Sequence, residues 1–148
     1  MINAAIVGLG RWGKILVNSV QGKSDKLRFA QCVVRNPETA RGFASEQGLE
    51  VSTDFERMLR DDRIQAVVLA TPHSLHMRQI VAAAAAGKPV FCEKPLALTK
   101  ADAVRAVEAC TKANVPLGLG HDKRFSPSMR ELKRVVSSGE LGEILHVE

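Results

Sequence analysis

Ile2-Asn3-Ala4-Ala5-Ile6-Val7-Gly8-Leu9-Gly10-Arg11-Trp12-Gly13 carries a short apolar run directly into three glycines spaced G-x-G-x-x-G. The run reads as a buried strand and the glycines as the turn feeding a helix, an arrangement that brings backbone N–H groups up to a pyrophosphate. Gly8 permits the tight turn, and Gly10 leaves no side chain between backbone and ligand. Gly13 lets the helix pack closely on the strand, its N-terminal dipole toward the phosphates. The same turn can be purely structural, so the rest of the chain has to separate the two readings.

Outward from this turn the pattern alternates. Ile15, Leu16 and Val20 give helical spacing over 12–20, closed at Gly22, and residues 27–34 form an apolar, aromatic-containing strand. Residues 37–47 read as a helix with proline in its first turn and Gly48 at its end. A short strand near Val51 precedes a helix from Asp54, where Thr53-x-x-Glu56 has the form of a capping box. Strands at 66–70, 89–92 and 116–119 then alternate with helices at 75–86 and 99–113. Such regular alternation implies an α/β fold, a doubly wound parallel sheet covered by helices on both faces.

The last segment differs. Ser126-Pro127 reads as an N-cap and first helical residue, Met129, Leu132, Val135 and Val136 form an apolar stripe, and Gly139 follows. Residues 142–148 alternate like a strand, and a terminal strand with an apolar face calls for a partner sheet, so self-association or fraying is expected there.

The 148 residues are one domain's worth, enough to bury roughly 70% of the unfolded surface. Apolar content of 45% and charged content of 25% are ordinary for a globular protein and argue against disorder. The formal charge of +5 is spread along the chain, and five Phe and one Trp are too few for a base-stacking platform, so nucleic acid is not the expected partner. Cys32, Cys92 and Cys110 lie in apolar segments without a C-x-x-C pair and read as reduced, buried thiols, which points to the cytoplasm. No leader pattern opens the chain, and the longest apolar run, 80–86, is too short to span a bilayer, so no membrane partner is expected.

Two nucleotide readings compete at the first turn. Gly8-x-x-x-x-Gly13-Lys14 fits most of a P-loop, but Ile15 has no hydroxyl for magnesium and the 66–70 strand ends without an acid. A dinucleotide site wants an acidic residue about 20 positions past the glycines to take the ribose hydroxyls. Here Val33-Val34-Arg35-Asn36 offers no carboxylate, and the Arg35 guanidinium can pair with a 2′-phosphate, which tips the balance from NAD toward NADP. Arg35 is otherwise a solvated loop residue. Thr71-Pro72-His73 and Glu93-Lys94-Pro95 each follow the carboxyl end of a strand, in the crevice where open parallel sheets bind ligands. His73 and His76 supply two imidazoles without a third ligand at metal spacing, so no metal is expected. A lysine beside a nicotinamide can exchange a proton with a substrate oxygen; alternatively Glu93 and Lys94 are an ordinary charged turn.

Four runs together resemble the amino-terminal half of the glucose-fructose oxidoreductase/inositol dehydrogenase (Gfo/Idh/MocA) family. They are Gly8-Leu9-Gly10-Arg11-Trp12-Gly13, Thr71-Pro72-His73-Ser74-Leu75-His76, Ala86-Gly87-Lys88-Pro89-Val90-Phe91-Cys92-Glu93-Lys94-Pro95, and Gly120-His121-Asp122-Lys123-Arg124-Phe125-Ser126-Pro127. The resemblance covers nearly the whole chain, and the Glu-Lys-Pro run is its specific part. It implies a Rossmann fold binding NAD or NADP over residues 1–120, with 121–148 as the connecting helix and first strand of a substrate domain. By position it implies that Gly8, Gly10, Arg11, Trp12 and Gly13 form the pyrophosphate loop and that Thr71, Pro72 and His76 lie beside the cofactor. Glu93 and Lys94 would sit near the nicotinamide, with Lys94 catalytic, Pro95 cis, and Arg124 approaching the cofactor.

The sequence departs from the family pattern at His73 and Asp122, where asparagine is usual, and at Val34, where many members carry the ribose-binding acid. The expected activity is hydride transfer between a sugar- or cyclitol-type hydroxyl or carbonyl and nicotinamide, by a homo-oligomer in the full-length form. Ending inside what resembles the next domain's first strand, the chain is expected to be a fragment that binds cofactor without efficient turnover alone. The alternative is a non-catalytic dinucleotide-binding module or sensor completed by a partner chain.

Overall fold

The computed structural model describes residues 1–146. Six strands, β1 (Ile2–Val7), β2 (Leu27–Val33), β3 (Glu50–Ser52), β4 (Ala66–Leu69), β5 (Val90–Glu93) and β6 (Leu117–Gly120), form one sheet in the order β3-β2-β1-β4-β5-β6. Every pairing is parallel. The helices are α1 (Arg11–Val20), α2 (Arg41–Gln47), α3 (Phe55–Leu59), α4 (His76–Ala85), α5 (Lys100–Ala113) and α6 (Pro127–Ser138). The order reverses direction at β1, between β2 and β4, which opens a crevice at the carboxyl ends of those strands.

Alternation along β1 divides the core. Ala4 and Ile6 face Val17 of α1 and Ala44 of α2, whereas Ala5 and Val7 face Met58 and Leu59 of α3 and Ile80, Ala83 and Ala84 of α4, with Ala106 and Cys110 of α5 further along. A parallel strand covered on both faces has to be apolar throughout, and Ala4 to Val7 are all buried. The sheet is therefore the doubly wound α/β arrangement that the alternation predicts. Cys32, Cys92 and Cys110 are free and buried, as their apolar neighbours suggest.

Local boundaries differ from the sequence reading in three places. Residues 37–40 form a turn rather than helix. Asn36 Oδ1 accepts from the Glu38 N–H at 3.1 Å, and the first full helical turn starts only at Arg41. At α3 the cap is Asp54, whose Oδ1 accepts the Arg57 N–H at 2.8 Å, so the Thr53–Glu56 box does not form. Residues 142–146 form no strand, since a strand exists only with a ladder partner, and the rest of that predicted strand lies outside the described residues.

Ser126 and Gly139 bound the last helix as their residue types predict: Ser126 Oγ accepts from the Met129 N–H, Pro127 opens α6, and Gly139 ends it in the left-handed conformation. Helix α6 packs mainly against the short 3-10 helix Asp122–Phe125 and leaves Met129, Leu132 and Val136 exposed. No helix of the described residues is long and apolar enough to cross a membrane.

Candidate active site

The glycine turn is built by close approach of backbone. Gly8 has φ +92°, a region L-residues avoid, and a Cβ there would lie 2.5 Å from the Ala70 carbonyl oxygen. Its N–H donates to Val33 O at 2.9 Å, so the turn is tied to β2. A Cβ on Gly13 would collide with the Gly8 carbonyl oxygen, which is how α1 comes to lie so close to the turn. Gly10 is different: a Cβ there would meet nothing within 4 Å, and its open side faces a cleft. Gly10 is also the N-cap of α1 and offers no side-chain cap, with no acidic residue in the first turn. The helix dipole and its first amides are therefore left for an anion.

Two clefts meet at Ala70 and Thr71, just past the end of β4. One, about 510 Å³, runs over Gly8 and Gly10 to the end of β2, where Val34, Arg35, Asn36 and Thr39 line it, with Pro72 and Arg78 on the other wall. Among the described residues no carboxylate lines this cleft. The other, about 550 Å³, contains Trp12, His73, Glu93, Lys94 and the segment His121, Asp122, Lys123 and Arg124. Of the residues singled out from sequence, Trp12, Thr71, Glu93, Lys94 and Arg124 thus share one cleft, and Gly8, Gly10, Arg35, Thr71 and Pro72 share the adjoining one. Arg11 and Gly13 line neither: Arg11 is exposed at the start of α1 and Gly13 is buried beneath the turn.

Lys94 is exposed at the first position past β5, and the Lys94–Pro95 peptide is cis. Glu93, its neighbour, is buried with its carboxylate over Gly120. Cys92 is fully buried, and burial, aided by the negative charge of Glu93, pushes its thiol up to about 12, which leaves it without nucleophilic character at neutral pH. Among the described residues no group of three or more His, Cys, Asp or Glu is arranged to hold a metal ion.

His76 lies in the floor rather than the wall. It is fully buried, with Nδ1 2.8 Å from Pro95 O and Nε2 2.9 Å from Thr71 O. Gln79, one turn further along α4, accepts a 2.6 Å hydrogen bond from Thr71 Oγ1. Gln79 escapes a reading of motifs. The signal was there nonetheless, because a polar residue three positions after His76 on an otherwise apolar helix face needs a buried partner.

Comparison with known proteins agrees with this geometry. A family model described as the oxidoreductase family with an NAD-binding Rossmann fold matches residues 2–121. Myo-inositol 2-dehydrogenase of Thermotoga maritima is 33% identical over 139 residues, covering 93% of this chain and 41% of that protein. Inositol 2-dehydrogenase 2 of Saccharopolyspora erythraea is 35% identical over 146 residues, covering 97% and 43%. The crystal structure of scyllo-inositol dehydrogenase from Lactobacillus casei with bound NAD(H) and scyllo-inositol superposes with a TM-score of 0.91 at 33% identity, covering 97% of this chain and 43% of that one. The chain thus spans about two fifths of the length of the relatives it matches. With the family model matched over residues 2–121 and the backbone superposing over nearly the whole chain, the chain belongs to the Gfo/Idh/MocA family of oxidoreductases.

Proposed function

We propose that this chain is the cofactor-binding part of an NAD(P)-dependent dehydrogenase acting on a hydroxyl or carbonyl of a cyclitol or sugar. In this reading residues 1–120 form the dinucleotide-binding unit and 121–148 the connection to a substrate-binding one. The observation that carries it is the position of Lys94 and Glu93 at the carboxyl end of β5, in one cleft with Trp12 and Thr71 beside the glycine turn.

The residues fit a dinucleotide. The uncapped α1 N-terminus and the empty side of Gly10 suit a pyrophosphate, and the cleft beyond them suits an adenosine. Arg35 and Arg78 line that cleft with no carboxylate among the described residues, which supports NADP over NAD through charge-assisted pairing with a 2′-phosphate. A bound nicotinamide supplies a hydride donor or acceptor. The Lys94 amine takes the substrate hydroxyl proton in oxidation and returns it to the carbonyl oxygen in reduction. The relatives named for inositol support a polyol as the substrate class.

Calorimetric titration of the chain with NADP, NAD and ATP plus magnesium, repeated on Gly10→Asp and Arg35→Ala, tests this. The expected result is saturable NADP binding, tighter than NAD, abolished by Gly10→Asp. Loss of the Arg35 pair narrows the NADP preference by roughly tenfold, about 1.4 kcal/mol. Absence of dinucleotide binding would overturn the reading, and equal or tighter NAD binding would overturn its NADP part. A second reading, a binding module completed by a partner chain, is favoured by the exposed stripe Met129, Leu132 and Val136 on α6; it shares the binding result and differs in lacking turnover with any polyol.

A further inference from the structure

We infer that His76 is a positioning residue: it pins the Pro95 carbonyl to the Thr71 carbonyl and so fixes where the Lys94 amine stands, without itself touching a ligand. The inference deepens the reading of Lys94 as the proton-handling group and rests on it.

Position and bonding both carry it. The ring is fully buried and lines neither cleft, so it does not face the space a ligand would occupy. Each ring nitrogen faces a backbone carbonyl, one from each of the two turns that form the cleft. A carbonyl only accepts, so the neutral ring with its single N–H donates to one of them and the protonated ring donates to both. The Thr71 side of the clamp is doubled by Thr71 Oγ1 donating to Gln79. The Pro95 side has no such support. The β5–β6 ladder ends where Glu93 stands opposite Gly120. The His76 contact to Pro95 O anchors the chain just past that end, one residue beyond Lys94. Because His76 opens α4, whose Ile80, Ala83 and Ala84 are buried in the core, the helix acts as the fixed body against which the turn is set.

The test exploits the two nitrogens separately. An asparagine amide nitrogen falls where Nδ1 lies, and a glutamine amide nitrogen falls where Nε2 lies. His76→Asn therefore keeps the Pro95 arm and His76→Gln keeps only the Thr71 arm. The readout is the NMR signal of 13C-dimethylated Lys94 in the nucleotide-free chain, assigned by its loss in Lys94→Arg. We expect His76→Asn to leave the Lys94 signal at its original position and His76→Gln to move it toward the value of the urea-unfolded chain. A merely structural role would shift both or neither, and either result overturns the inference.

A second measurement needs no substitution. The ring N–H of His76, on whichever nitrogen carries it, should exchange with water at least about 100-fold more slowly than that of free imidazole, as a buried hydrogen-bonded proton does. Fast exchange overturns the clamp even if the variants fail to fold. Both measurements are made without cofactor, so an absence of dinucleotide binding in the calorimetry would remove the proposed function and leave the clamp standing or falling on its own data.

Discussion

The carboxylate of Glu93 occupies the space that a side chain on Gly120 would need: a Cβ there would lie 2.6 Å from Glu93 Oε1 and 2.9 Å from its Cδ. The two residues are register partners across β5 and β6, so the bare strand end of Gly120 makes room for Glu93, which lines the cleft beside Lys94. Gly120→Ala would force the carboxylate to rotate. Because the obstacle is the end of a side chain, the fold should survive with a loss of about 1 kcal/mol, or roughly 2–4 °C in Tm. Thermal denaturation checks this, and a fall several times larger would place the conflict in the backbone.

The three glycines of the first turn should separate cleanly by stability and by binding. Gly8→Ala meets the Ala70 carbonyl and a positive φ, and Gly13→Ala meets the Gly8 carbonyl, so each should cost roughly 2–4 kcal/mol in urea unfolding. Gly10→Ala meets open space and should stay within about 1 kcal/mol of the parent while weakening dinucleotide binding. Equal losses at all three positions would contradict the geometry.

What was legible in the sequence was what depends on neighbours along the chain. The glycine turn, the parallel alternation and the cap at Ser126 are local, and each stands where the pattern places it. Misreadings came where several residues compete for one local task. Ser52, Thr53 and Asp54 can all cap, and the path leaving β3 selects Asp54. Asn36 captures the turn that Pro37 alone would have started as helix. The site was legible to the extent that strand ends gather it, which put Thr71 and Lys94 in adjoining positions. The bonding of His76 was not, because its partners Thr71 and Pro95 lie 5 and 19 positions away and are backbone carbonyls that no side-chain pattern reveals.

Lys88 has a structural task at the opposite end of β5. Nearly buried, its ammonium donates to Ile64 O at 2.5 Å and Asp61 O at 3.0 Å, tying the turn before β4 to the one before β5. Lys88→Met keeps the length and removes both bonds. Hydrogen bonds from a charged group are worth more than neutral ones, but the ammonium also pays for its burial, so the expected net loss is about 2 kcal/mol. Equilibrium urea unfolding checks it, and an unchanged midpoint would mean that desolvation cancels the bonds.

The same turn should give the protein an acid-sensitive contribution. Hydrogen bonds from the Arg63 guanidinium, then from the Arg63 N–H, hold the Asp61 carboxyl down at about 2, with Arg63 and Lys88 adding attraction. An unfolded aspartate titrates near about 3.9, so the folded state binds fewer protons in between. The contribution is therefore complete above the unfolded value and is lost as pH falls through about 2. Asp61→Asn should unfold at lower urea than the parent at neutral pH, and the gap should close between about pH 4 and pH 2. Because the Arg63 side chain is 69% exposed, the gap should also shrink in high salt. A gap that persists unchanged at pH 2 would assign the effect to the asparagine's packing rather than to the carboxylate.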